Sequence, residues 1–394
     1  METKQLSDKW LKAAVIGGLW ASIEIVLGSF LHNLRIPFAG TILATQGILI
    51  LIAFIQVWKE SGIIIRAGII TALMKSISPS SVILGPMIGI LMEAAILEFF
   101  LLLFGRGIIG TILGSSFALA SALIHKAFSI IILYGWSIVK IYENIYVYFQ
   151  KILNLGSLKP FEFILLILMI YLVFGAFAGI LGISIGKRAK ALLPKTKANE
   201  IADAKQEIFP LGGSQKYNLY QLAINMLLIP IGLILINKNL FYYGFPFLLV
   251  FTAYAYSNYK AIFRRLKKPI FWGQLIVIIL LSGFFYSNGD KTTDVFHLSG
   301  LYFGLEMSFR AIFIVMAFTT ISIELRNPDI KKFLYAHQLG ALHGSLSLAF
   351  NSLPIIVKSL PPIKHFFRHP LSTFSLLVAS NINWYTVFKN LNKS

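Results

Sequence analysis

The sequence predicts an all-α, polytopic membrane protein of about ten to twelve transmembrane helices arranged in two units. Three observations carry that prediction. Only 13% of the 394 residues are charged while 57% are hydrophobic, where a soluble domain has roughly a quarter charged. Apolar runs long enough to cross a hydrocarbon core of roughly 30 Å recur from Trp10 almost to the end of the chain. The Lys and Arg residues collect in the short connectors between those runs, as the positive-inside rule expects.

The first six spans are expected near 10 to 31, 41 to 58, 62 to 78, 80 to 104, 107 to 136 and 160 to 186. The first is read as a retained helix, because METKQLSDKW is not followed by a small-residue cleavage site. Lys4, Lys9, Lys12, Lys59, Arg66, Arg106, Lys187, Arg188 and Lys190 then fall on one side, which places the N-terminus in the cytoplasm of a multi-pass protein of the plasma membrane. Residues 137 to 159 mix Tyr, Lys and Ile and suit a helix lying on the outer membrane surface. The polar stretch 187 to 218, with Pro194, Pro210 and Gly212-Gly213, reads as a cytoplasmic linker.

Beyond it, spans are expected near 219 to 236, 241 to 257, 270 to 287 and 300 to 324, with a last apolar run at 371 to 388. The basic connector Lys260, Arg264, Arg265, Lys267 and Lys268 belongs in the cytoplasm, and the connector with Asp290 and Asp294 belongs outside. The expected division is a unit over 1–186, the linker 187–218 and a second unit over 219–394. Trp20, Trp58, Trp136, Trp272 and Trp384 mostly stand near span ends, where indole rings favour the headgroup layer.

The net charge of +19 is spread over connectors and forms no basic face, which argues against nucleic acid as a partner and leaves the lipid bilayer. The absence of cysteine excludes disulfides, thiol nucleophiles and thiolate metal sites. There is no GxxxxGK[ST], no HExxH and no GxSxG, and the seven histidines, including His337 and His343, show no ligand spacing. An enzyme, a resident metal or a cofactor in this chain is therefore not expected.

Ala13, Gly17, Ala21, Glu24 and Gly28 recur every three or four residues and share one helix face. Small residues at that spacing admit a second helix, either from the same unit or from a separate subunit. A carboxylate at Glu24 costs several kcal/mol at membrane depth unless it is paired or lines a cavity; Arg66 and Lys75 are candidate partners. The connector 29 to 41, with His32, Asn33 and Arg35, is either a lid over a solute or a plain polar hairpin. Ser78-Pro79-Ser80-Ser81, Gly85-Pro86, Glu93, Glu98, His125 and Lys126 place breaks and ionisable groups inside apolar spans, as polar sites in membranes do. Glu93 and Glu98 are five apart and point about 140° away from one another, so they do not form a carboxylate pair; Arg106 or Lys75 could satisfy either.

The segments GLYFGLEMSFRAIFIVMAFTTISIELRNPDIKKFL, 300 to 334, and GSLSLAFNSLPIIVKSL, 344 to 360, resemble the transmembrane T component of energy-coupling factor transporters, the group that includes cobalt transport proteins. Gly300, Gly304 and Arg310 match that family's Gly-rich helix, Thr319 and Thr320 its Thr-Thr segment, Pro328 and Asp329 its turn into the coupling helices, and Pro354 its Pro element. Asn351 stands where the family has Arg, Lys358 stands near its acidic residue, and the paired Ala-Arg-Gly motifs that dock the ATPases are missing. Residues 1–186 are similar in hydropathy and spacing to the substrate-capturing S components, whose first-helix small-residue stripe finds its nearest match in Ala13, Gly17 and Ala21.

The resemblance implies an ABC-type importer subunit for a vitamin or micronutrient, fusing solute capture to a coupling scaffold, with ATP bound on separate cytoplasmic subunits. It implies coupling roles for Arg310, Thr319, Thr320, Pro328, Asp329 and Pro354. Glu24, His32, Asn33, Arg35, Glu93, Glu98 and His125 are the candidate solute-binding residues. The alternatives are a membrane solute-binding protein or scaffold that never meets an ATPase, and a proton-coupled secondary transporter.

Overall fold

The structure, a computed structural model, describes residues 6–33, 38–75, 84–153, 158–193, 219–259, 266, 269–285, 297–324 and 340–392. Among these residues the chain is helical, without strands. The helices are α1 (Asp8–Asn33), α2 (Ala39–Val57), α3 (Ile63–Lys75), α4 (Leu84–Leu103), α5 (Ile108–Tyr134), α6 (Ser137–Leu153), α7 (Pro160–Leu192), α8 (Leu219–Lys238), a π turn (Leu240–Gly244) leading into α9 (Phe245–Asn258), α10 (Pro269–Phe285), α11 (Leu298–Glu324), α12 (Gly340–Ser359), α13 (Ile363–Arg368) and α14 (Pro370–Leu391).

Seven of the described helices are long and apolar enough to cross a membrane: α1, α2, α4, α5, α7, α9 with its π turn, and α11. The expected ten to twelve is a count for the whole chain, and these seven are a count among the described residues, where Ile224–Lys238 and Phe271–Phe285 are shorter apolar helices. The described α3 has 13 residues, roughly 20 Å at 1.5 Å per residue, short of the hydrocarbon thickness. In contrast, α7 has 33 residues, roughly 50 Å, so its last turns with Lys187, Arg188 and Lys190 extend past the hydrocarbon. The linker expected from 187 thus begins as helix; its remainder, 194–218, lies outside the described residues.

The chain packs as two compact units. The first comprises Met1–Ile124, Leu168–Lys216 and Ile330–Ser394, and the second comprises His125–Ile167 and Tyr217–Asp329. These units cut across the expected 1–186, 187–218 and 219–394 arrangement, because α12 and α14 pack with α1.

In the first unit α1 is the central helix, with every residue from Leu11 to Glu24 buried. It is small on two adjacent faces. On one, a β-carbon built at Gly17 would lie 2.8 Å from Ile70 Cγ2 of α3. On the other, a β-carbon at Gly18 would stand 3.5 to 3.7 Å from Ser352, Ile356 and Ala349 of α12. The close approach replaces hydrophobic driving force, since lipid tails are as apolar as the helices themselves. Gly17→Leu is expected to separate α1 from α3 and to cost about 1–3 kcal/mol or more through overpacking, read as a lowered thermal midpoint in detergent. Outward-facing Phe161, Met169, Val173, Phe174 and Phe177 of α7 are exposed and fit a lipid environment.

One end of this unit gathers polar ties. Lys12 pairs with Asp8 at 2.9 Å and with Glu60, just beyond α2. Asn392 exchanges two hydrogen bonds with the Leu6 backbone, at 2.8 and 3.1 Å. Tyr385 donates to Asp8 and packs at a tilt against Trp58, ring centroids 5.6 Å apart; burial, and then the Asp8 carboxylate, push its phenol up to about 12, so this tie holds across the physiological pH range. At its other end α14 borders the last turn of α7, where Arg188, Ala191, Leu192, Ser372, Ser375 and Leu376 line a groove of about 370 Å³. Gly186, half a turn earlier in α7, abuts Ala53 and Gln56 near the end of α2. Both ends of α14 therefore meet the same end of the unit, and α14 runs across it.

In the second unit Phe313 of α11 is fully buried, with edge contacts to Phe247 and Phe251 at 5.4 and 5.1 Å. Gly300 and Gly304 let α11 approach α10, where Ser282 Oγ donates to the Gly300 carbonyl at 2.6 Å. The expected surface helix is α6, which turns Ile141 and Tyr146 inward and Lys140, Tyr148 and Phe149 outward.

Candidate functional site

The first unit brings four polar side chains together inside its apolar core. Glu24 of α1 meets Lys75, the last residue of α3, at 3.4 Å. The Lys75 ammonium also donates to the Glu24 backbone carbonyl at 3.0 Å. Of the two candidate partners Lys75 holds the carboxylate. Arg66 instead donates to Gly62 O at 2.8 Å and lies 5.2 Å from the Trp10 ring.

Glu93 of α4 and Gln46 of α2 complete the group. Glu93 lies within reach of the like charge of Glu24, and Gln46 lies beside the Glu24 carboxylate without a completed hydrogen bond. Glu93 is 5% exposed and Gln46 3%. Glu93 Oε1 and both amide atoms of Gln46 have no hydrogen-bond partner. Native proteins leave few buried polar groups in that state, since each costs about 1–3 kcal/mol. The α2 residue that faces this group is Gly47: a β-carbon there would stand 2.6 Å from Glu93 Oε1 and 2.8 Å from Trp20 Nε1. Glycine at 47 is what lets the carboxylate and the indole share that wall.

Glu98, five residues on, is committed elsewhere. Its carboxylate accepts from Gly62 N at 2.8 Å and Ile64 N at 3.0 Å and pairs with Arg106. It caps the start of α3 from a neighbouring helix, a structural task. His125 belongs to the second unit and is half-buried on α5. The side chains of His32 and Asn33 at the end of α1, and Arg35, lie outside the described residues, as do Ser78 to Ser81.

Ala13, Gly17 and Ala21 are buried within the unit, with Gly17 against Ile70. Their face is covered by this chain's own α3. The face turned to α12 is the next one, marked by Ala14, Gly18 and Ser22 at the same four-residue spacing, a second small stripe that the first obscured.

In the second unit Arg310 donates to the Ile132 carbonyl at 3.1 Å and to Asn237 Oδ1. It thereby satisfies an end carbonyl of α5 and ties α11 to α8, a favourable place for a cation. Arg310→Ala is expected to lower stability by about 1.5–3 kcal/mol, the scale for charged hydrogen bonds, while Arg310→Lys recovers part of it; thermal unfolding of the two variants checks this. Thr319 and Thr320 are buried and return their hydroxyls to Val315 O and Ala317 O at 2.6 and 2.7 Å. Pro328, Asp329 and the side chain of Pro354 lie outside the described residues.

Gln46 is the member of the cluster that sequence reasoning missed. Its signal was present: a lone amide in ATQGILILIAF, followed at once by glycine. Among the described residues no group of three or more His, Cys, Asp and Glu could hold a metal ion. No family model matches the chain, and neither a curated protein nor a solved structure matches it.

Proposed function

We propose that the chain is the membrane subunit of an importer of the energy-coupling factor type, capturing a small polar micronutrient in its first unit and taking energy from separate cytoplasmic ATP-binding subunits. The observation that carries the capture half is the cluster of Glu24, Gln46, Lys75 and Glu93, with three polar atoms buried and unpartnered. Such atoms are expensive unless a ligand or water meets them. The resemblance in 300–334 and 344–360 carries the coupling half. The packing of α12, which contains 344–359, along α1 supports a fusion of the two. The positive-inside rule puts the end bearing Lys12, Arg106, Lys187 and Arg188 in the cytoplasm, and with it the start of α1 and the end of α14.

The alternating step would be a shift of helices around the cluster, driven by a partner that binds one state better than the other. Affinity purification from the native host in mild detergent, with mass spectrometry of copurified proteins, tests this. A pair of ATP-binding subunits is the expected result. Recovery of the protein without them, together with solute uptake driven by a pH gradient in vesicles lacking ATP, would overturn it. That outcome would favour the second reading, an ATPase-independent solute carrier, for which the missing Ala-Arg-Gly pair is the specific argument.

A further inference from the structure

The charges in the cluster do not balance. Two carboxylates, Glu24 and Glu93, share the interior of the first unit with one ammonium, Lys75. That ammonium is already spent on Glu24, through an ion pair at 3.4 Å and a hydrogen bond to the Glu24 carbonyl at 3.0 Å. The charge acting on Glu93 is that of Glu24, of like sign. Around Glu93, α1 contributes Glu24 and Trp20, α2 contributes Gln46 and Gly47, and α3 contributes Lys75. On α4 itself Glu98 is tied to Arg106 and to the backbone of α3. One positive charge is missing among the described residues.

A second observation points to the same place. Gln46, 3% exposed, has its side chain next to the Glu24 carboxylate, and its amide oxygen, like Glu93 Oε1, is without a partner. Two orphan oxygens with a deficit of one charge suit a small hard cation, for which oxygen ligands are the preferred donors. Glu93 Oε1 lies close against the α2 backbone, since a β-carbon at Gly47 would stand 2.6 Å from it. A divalent ion would overshoot the charge by one.

We infer that Glu93 and Gln46 bind one small monovalent cation, a proton or an alkali ion, which completes the charge of the α1–α4 cluster. The inference goes beyond the importer reading and does not need ATP coupling. If the cation exchanges during transport, uptake responds to its gradient whatever the other energy source.

A hydrophobic carbodiimide tests it on the purified full-length protein. The reagent adds a protonated carboxyl across its C=N bond, with no leaving group, and peptide mass spectrometry maps the adduct. Glu93 is expected to be labelled in preference to Glu24, and labelling is expected to fall as pH rises. If the occupant is a proton, sodium and potassium leave labelling unchanged against a choline control. If it is an alkali ion, one of them suppresses labelling at fixed pH. The thermal midpoint of the wild type should shift with the same cation, and Glu93→Gln should lose that shift while still folding. Two outcomes would overturn the inference: labelling at Glu93 that is absent or indifferent to both pH and alkali ions, or Arg35→Gln alone exposing Glu93 to the reagent, which would assign the missing charge to Arg35.

Discussion

Lys75→Ala is expected to be among the most damaging single substitutions in the first unit, lowering stability by about 3–5 kcal/mol. The change removes the partner of Glu24 and leaves its buried carboxylate without a side-chain cation, close to the like charge of Glu93. The cost comes from the stranded charge more than from the lost attraction, because a buried ion pair is worth little over a well-packed apolar pair. Glu24→Gln with Lys75→Met together should therefore regain most of the loss. The check is a double-mutant cycle on thermal unfolding in detergent. If the two changes simply add, the carboxylate and ammonium are not coupled as the 3.4 Å pair implies.

Glu98→Ala should cost a comparable amount by another route. It strips the Gly62 and Ile64 amides of their acceptor and strands Arg106 in a nearly buried position. Each orphaned group carries a desolvation penalty of about 1–3 kcal/mol, and more where it is charged. Glu98→Gln keeps one acceptor oxygen and should lose less. Hydrogen exchange at the start of α3 distinguishes this from general loosening: protection should fall at 62 to 66 before it falls in α1. Solute binding, where measured on protein that still folds, should be unchanged, since Glu98 takes no part in the cluster.

Much of the helix layout was legible in the sequence, because hydropathy and helix ends are local properties. The runs at 10 to 31, 41 to 58, 107 to 136 and 300 to 324 closely match helices α1, α2, α5 and α11. That the described α3 has only 13 residues and that α14 lies across an end of the first unit do not show in apolar content. The packing units were illegible for a related reason. That α12 returns to α1 depends on Gly18 meeting Ala349, Ser352 and Ile356, a match between residues more than 300 positions apart. The stripe at Ala13, Gly17 and Ala21 left open whether a helix of the same unit or of a separate subunit would cover it; here Gly17 meets α3 while Gly18 meets α12, and spacing alone does not say which helix takes which face.

The site followed the same division. Glu24 drew attention because a carboxylate at membrane depth demands a partner, and Lys75 was one of two candidates. Glu98 looked equivalent to Glu93 in the sequence. What separates them is the proximity of Glu98 to the α3 start and to Arg106, a tertiary fact. Gln46 was passed over because an uncharged amide in an apolar span is cheap enough to be unremarkable until both its polar atoms prove unpartnered.

The most direct test of the claim that the α1–α4 cluster holds a ligand is to extract small molecules from the purified protein and quantify them by mass spectrometry, comparing wild type with Gln46→Leu. The substitution conserves volume and removes two unpartnered polar atoms, so the fold should be as stable or more so. A polar solute is expected with the wild type and should be depleted at least about tenfold in the variant, the effect of losing roughly 1.4 kcal/mol of binding. Equal recovery of the same solute from both proteins, at equal thermal midpoints, would contradict the account.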